Sequence, residues 1–147
     1  MKSSIVLKGT WEMILKNKHT GEIIDRDTGH NIITDTGKAE VAGLINGVST
    51  NFFDYIAIGT GLTGETIGDV SLDTEVKRGL ATLSFEAQNK AKFIYTFTFG
   101  SAEVYAITEV GIFNASSSGT ILNRFTTTAK NVDETTDLEI TIKIEVI

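Results

Sequence analysis

The chain has 147 residues, enough to bury one hydrophobic core and short for two ordinary domains. It contains no cysteine, which excludes disulfides and thiolate metal sites. Its net charge is −6, and its 13 basic residues are dispersed, which excludes the clustered Lys/Arg footprint of a non-specific nucleic-acid binder.

The opening stretch, MKSSIVLKGTWEMILK, lacks the apolar run of a secretory signal, and no segment approaches the length of a membrane span. Instead Ile5, Leu7, Gly9, Trp11, Met13 and Leu15 fall at every second position, the period of a half-buried strand. Asn17 to Gly21 supplies turn chemistry, and Glu22 to Asp27 resumes as a more polar strand. The two form a ribbon over about residues 4–30 that loosens at Thr28 to His30, before Asn31 to Thr34 closes onto the core. Asp35 or Thr36 is placed to cap a helix beginning near Gly37, with Val41, Ala42, Leu44 and Ile45 on one apolar stripe. Asn46-Gly47 ends it.

Tyr55 to Ile58 is a buried strand that breaks on Gly59, Gly61 and Gly64 and runs through a polar loop toward Glu75 and Arg78. Leu80 to Ala87 alternates again, and Phe93, Tyr95, Phe97 and Phe99 set four aromatics on one strand face. Ile107–Asn114 and Thr120–Thr127 make a hairpin around Ser116 to Gly119. Leu138, Ile140, Ile142, Ile144 and Val146 mark the inward face of the last strand. The pattern predicts a mainly β chain: one domain over residues 1–147, an antiparallel β-sandwich of about eight strands with one short helix.

Gly59-Thr60-Gly61-Leu62-Thr63-Gly64 satisfies G-x-G-x-x-G, but a dinucleotide fingerprint needs its glycines to open a helix, and Glu65 to Val70 has no helical stripe. A Gly-rich turn leaving a core strand is the better reading. Asp25, Asp27 and Asn31 hint at a calcium loop yet supply too few oxygens, with Thr36 where an EF-hand needs glutamate. His19 and His30 read as surface histidines, and Glu75, Glu103 and Glu109 as isolated carboxylates. Neither a nucleophile elbow nor a triad is apparent, so no catalytic residue, cofactor or metal is expected. The four aromatics read as core rather than as a carbohydrate platform, with Tyr105, on a loop, the better candidate for exposed contact.

The order of features resembles a small structural protein of tailed bacteriophages and related prophage particles. The likeness covers nearly the whole chain. Its most specific pieces are Asn31-Ile32-Ile33-Thr34-Asp35-Thr36-Gly37, Ala57-Ile58-Gly59-Thr60-Gly61 and Thr108-Glu109-Val110-Gly111-Ile112-Phe113-Asn114. The resemblance implies a non-enzymatic virion protein assembled in the host cytoplasm: a capsid decoration (cement) protein on the head, or alternatively a tail, baseplate or fibre-attachment accessory. A carbohydrate-binding module is the third reading. Since the chain ends after the last strand, without a shaft or tip, a compact accessory subunit is the expectation. Its partners would be the major capsid protein or tail and baseplate proteins, plus further copies of itself, a trimer being one arrangement, with no nucleic acid and no membrane. Subunit contacts are expected at Asp25, Arg26 and Asp27 on the ribbon, at Thr60, Leu62 and Thr63 in the glycine loop, and at Tyr105. Deleting Thr60 to Asp73 is expected to leave a folded but unassembled protein.

Overall fold

The alternating residues near the two chain ends find each other. In the computed structural model, which describes residues 4–147, strand β1 (Leu7–Asn17) pairs antiparallel along its whole length with the last strand, β9 (Thr136–Val146). Trp11, Met13 and Leu15 lie opposite Ile142, Ile140 and Leu138, and all six are buried. Met1–Ser3, the start of the expected domain, lie outside the described residues.

On its other side β1 carries β2 (Ile23–Ile33), and here the expected loosening does not occur. Thr28, Gly29 and His30 stay in register with Glu12, Trp11 and Thr10. The reason is Gly29: the Trp11 ring lies across it, so close that a methyl group there would sit 2.6 Å from a ring carbon. Trp11 donates its indole N–H to the His30 carbonyl at 3.0 Å and stacks on Phe125 with ring centres 4.4 Å apart. The ribbon is therefore built into the sheet through β1, not a projecting arm.

Helix α1 (Asp35–Asn46) starts two residues earlier than expected, and its cap is Thr34, not Asp35 or Thr36. The Thr34 hydroxyl accepts from the Gly37 N–H at 2.9 Å and donates to the Ile121 carbonyl at 2.9 Å, so one buried group caps the helix and ties it to a strand. Gly37 allows that approach, since a methyl group there would lie 2.5 Å from the Leu122 carbonyl oxygen. Gly47 ends the helix in the left-handed conformation, φ 79°, as the sequence indicates. Only part of the apolar stripe is used. Val41 and Leu44 pack on the core, while Ala42 and Ile45 line an open groove with Ile5, Val6 and Ile67.

The remaining strands are β3 (Tyr55–Gly59), β4 (Glu75–Leu80), β5 (Thr82–Ala87), β6 (Lys90–Thr98), β7 (Tyr105–Phe113) and β8 (Ile121–Val132). There are nine strands among the described residues because Glu75–Leu80, read as the end of the polar loop, is a strand of its own; Ala81, whose N–H bonds to the Asp54 carbonyl, separates it from the expected strand, which begins at Thr82. All pair antiparallel in one sheet of order β4-β3-β7-β8-β2-β1-β9-β6-β5. The sheet folds over on itself at β2, which joins β8 only through Ile32 and Ile33. Its two ends nearly close: Lys77 of β4 donates to the carbonyl of Thr98, the last residue of β6, at 2.7 Å, and the Tyr95 ring lies against Gly79. The mainly β, antiparallel architecture is as predicted, with the two layers formed as halves of a single curled sheet. Phe93, Phe97 and Phe99 are buried between them, and Tyr95 is half-buried at the seam.

The Gly29–Trp11 contact yields a direct test. Replacing Gly29 with valine should cost about 1–3 kcal/mol, the usual penalty of overpacking, and displace the indole from Phe125. The chain has one tryptophan, so urea unfolding followed by its fluorescence reads both effects. An unchanged midpoint would show that the ring has room to move.

Candidate functional site

Side chains alternate across β7, so Val110 and Ile112 face the core while Glu109, Gly111 and Phe113 face away from it. Arg124 of β8 stands opposite Gly111 and shares that outer face. On an ordinary sandwich this face would meet water. Here Glu109 is 0% exposed and Arg124 1%, because the chain between β3 and β4, residues 60–74, crosses over them.

The loop is held by that buried pair. One Glu109 oxygen accepts the N–H of Gly61 at 2.7 Å and of Thr74 at 2.8 Å; the other accepts the N–H of Asp73 at 2.8 Å and Arg124 Nε–H at 3.1 Å. The Arg124 fork continues outward, Nη1 to Asp69 at 3.0 Å and Nη2 to the Thr63 carbonyl at 2.6 Å and to Asp73 at 3.4 Å. Thr108 donates its hydroxyl to the Gly61 carbonyl at 2.6 Å. A carboxylate with four donors and a guanidinium with four acceptor groups meet the demand of buried charges for complete hydrogen bonding.

This geometry explains the glycines. A Cβ at Gly59 or Gly61 would collide with the Glu109 carboxylate, whereas Gly64 has open space around it. The loop does cradle an anion through main-chain N–H groups, and the anion is the protein's own Glu109. Beneath the loop, Leu72 packs on Ala57, Phe113 and Ile121 as a second apolar cluster. At one border Arg78 lies over the Phe113 ring at 3.9 Å and grips Glu75 with two bonds of 2.8 and 2.6 Å. At the other, the Ile67 carbonyl accepts the Asp35 N–H at 2.8 Å, joining the loop to the start of α1.

The sequence candidates fall into three places. Thr60, Leu62 and Thr63 sit together in the pinned loop; Thr60 is half-buried, Thr63 donates its N–H to Asp73 at 3.1 Å, and Leu62 is 86% exposed. Asp25 and Asp27 converge on the buried ammonium of Lys130 at 3.0 and 3.3 Å, and Thr127 donates to Asp27 at 3.0 Å. Arg26 between them is exposed, with Glu12 4.0 Å away. Tyr105 opens β7 opposite Val132 and is half-buried against the core, so it is a strand residue and not part of a loop. Sequence reading took Glu109 for an isolated carboxylate and passed over Arg124, whereas the two are paired at 3.1 Å. The available signal was a lone acid and a lone base of opposite sign, each inside an apolar strand of the same hairpin.

Charge–charge and hydrogen-bond effects agree with this picture. Burial works to raise the Asp69 carboxyl, but the Thr66 N–H and Arg124 outweigh it and hold it below the usual aspartate value. At Asp27 burial is likewise outweighed, by the Thr127 hydroxyl and Lys130. Burial opposes the charge on Arg124, yet Asp69 and Glu109 hold its pKa above the ordinary value. The loop deletion looks different in this light. Removing Thr60 to Asp73 would strip Glu109 of donors and uncover the cluster under Leu72, so the fold would suffer along with any contact. Comparison with models of known families, with curated proteins and with solved structures finds no match to this chain.

Two outcomes test the knot. Arg124→Met, which leaves Glu109 buried without its cation, should lower stability by about 3–5 kcal/mol in urea unfolding. Asp69 and Asp27 have lowered folded-state pKa values, so their stabilisation is present above the unfolded value of about 3.9 and is lost as pH falls through the folded values. The urea midpoint should therefore drop between about pH 5 and pH 3, and drop less steeply in Asp69→Asn. Equal slopes would mean that Asp69 contributes nothing to the lock.

Proposed function

We propose that this chain is a non-enzymatic structural subunit of a tailed-phage particle, a capsid decoration protein on the head surface in first place and a tail or baseplate accessory in second. One observation carries the reading beyond resemblance: all three of the most phage-like segments are spent on building and anchoring one rigid loop. Asn31–Gly37 supplies Asp35, whose N–H bonds the Ile67 carbonyl of the loop, and Thr34 and Gly37, which fix the start of α1 to β8. Ala57–Gly61 supplies the glycine cradle, and Thr108–Asn114 supplies Thr108 and Glu109, which hold it.

A loop ordered in advance loses little conformational freedom when it docks, which suits a subunit that must occupy many equivalent positions on a lattice. Leu62, Ile67 and Val70 of this loop are exposed apolar residues on that fixed frame, and they are the contacts proposed for the major capsid protein or a tail or baseplate protein. Burial of Phe93, Phe97 and Phe99 removes the platform that motivated a carbohydrate-binding reading.

Immunogold labelling of intact particles with antibody to this chain is the test. Gold spread over heads is expected; gold confined to tails would select the second location, and unlabelled particles would defeat both. Within assembling particles, Leu62→Asp should fold normally but be incorporated several-fold less than the parent chain. Equal incorporation would remove the loop from the interface.

A further inference from the structure

The first residues of β1 lack a neighbour on one side. Pairing with β2 ends at Gly9 and Asn31, beyond which Ile32 and Ile33 turn to β8. Main-chain groups along a strand point alternately to its two sides. Val6 and Ile147 exchange bonds of 2.8 and 2.9 Å, and Val146 gives its N–H to the Asn89 carbonyl. Leu7 lies opposite Val146, so its own N–H and C=O point away from β9, to the side that β2 has left. No strand is paired with them there.

What adjoins this edge is an apolar groove of about 650 Å³. Its far wall is one face of α1, with Lys38, Val41, Ala42 and Ile45 at helical spacing, and Ile32 and Ile67 also line it. Ile45 is 82% exposed and Ile67 56%. The groove also contains an unpaired amide. Asn31 lies across Gly9, where a Cβ would collide with it, and its Oδ1 and Nδ2 are both buried without a protein partner. A buried donor and acceptor left in that condition weaken a fold.

These features select among occupants. A hydrocarbon chain would cover the apolar walls but offer nothing to Leu7 or Asn31. A helix uses its main-chain groups internally. An extended peptide presents an N–H and a C=O on one edge at every second residue, with side chains alternating to either face. We propose that the groove receives an extended apolar segment of a partner protein, which adds as a strand to the start of β1 in the place that β2 gives up. Its main chain pairs with Leu7, the Asn31 amide bonds one of its peptide groups, and every second side chain rests on Val41, Ala42 and Ile45. Lys38 at the rim makes none of the salt bridges found among the described residues, so the charge of the site favours a segment carrying an acid over one carrying a base. The site does not depend on the particle assignment and can be tested on the purified chain.

Selection of a displayed library of random decapeptides on the full chain should enrich sequences with alternating apolar residues and an acid. The most enriched sequence, made as an end-blocked peptide, should slow amide exchange at Leu7 by at least about 10-fold and shift the Asn31 side-chain NH₂ signal in NMR spectra. N-methylation of its alternate residues should abolish binding in one phase and spare it in the other, because only one edge faces β1. Asn31→Leu should keep or raise the urea midpoint while weakening the peptide by about 10-fold or more, since the amide has no partner in the fold. Ile45→Glu, at an exposed position, should leave the midpoint unchanged and also weaken binding several-fold. No enrichment, enriched peptides that bind as helices, equal effects of both N-methylation phases, or an Asn31→Leu chain that is less stable or binds equally well would each overturn the site. Self-association of the parent chain that Ile45→Glu abolishes would place a second copy in the groove and overturn it too. Peptide binding with particles that carry no gold would retain the groove and discard the virion reading.

Discussion

A carboxylate with no water around it sets the terms for half of this molecule. Glu109 is completely buried on the face of the sheet that points away from the core, and three main-chain N–H groups and Arg124 supply all its hydrogen bonds there. The donors come from the loop it holds, so loop and carboxylate require each other. Without the loop the charge has no donors except Arg124. Without the charge, fifteen residues with three glycines have little apolar surface to hold them in one conformation.

The consequence reaches the packing. With the loop in place, β3, β7 and much of β8 are covered on both faces, by the core on one side and by Leu72 and its neighbours on the other. β3 and most of β7 are correspondingly apolar on both faces, with Thr108 and Glu109 the buried polar residues of β7 and Asn123, Arg124 and Lys130 those of β8, while β1 and β9 alternate as one-sided strands do. Buried ion pairs are weak sources of net stability and stronger sources of specificity. That fits a knot whose bonds fix one path for the loop among many that its glycines would permit.

Surface properties follow a second division. The closed seam at β4 uses a lysine, an arginine and a tyrosine to finish the sheet within the molecule. The edge at β5 carries Leu83 and Phe85 on the core side and, on the other, Thr82, Ser84 and Glu86, which pairs with Lys143. A single chain thus carries a loop locked by buried polar bonds on one half of its sheet and an edge strand paired on one side only on the other.

The sequence alone determined the local elements. Period-two alternation placed β1 and β9, the aromatic run placed β6, the serine-glycine turn placed the β7–β8 hairpin, and Gly47 ended the helix, because each depends on residues close along the chain. It also read the glycines after Ile58 as a turn leaving a core strand, and the chain does leave β3 there as a loop and not as a helix. Tertiary structure decided what the loop glycines are for. Gly59 and Gly61 answer to Glu109, some fifty residues downstream, and Gly29 answers to Trp11 across the ribbon. The cap moved to Thr34 for the same reason, because its second partner is the Ile121 carbonyl of a distant strand. Burial of Glu109 and Arg124, the formation of β4 from a stretch that reads as loop and the exposure of Phe85 all depend on which surfaces meet, and no local pattern records that.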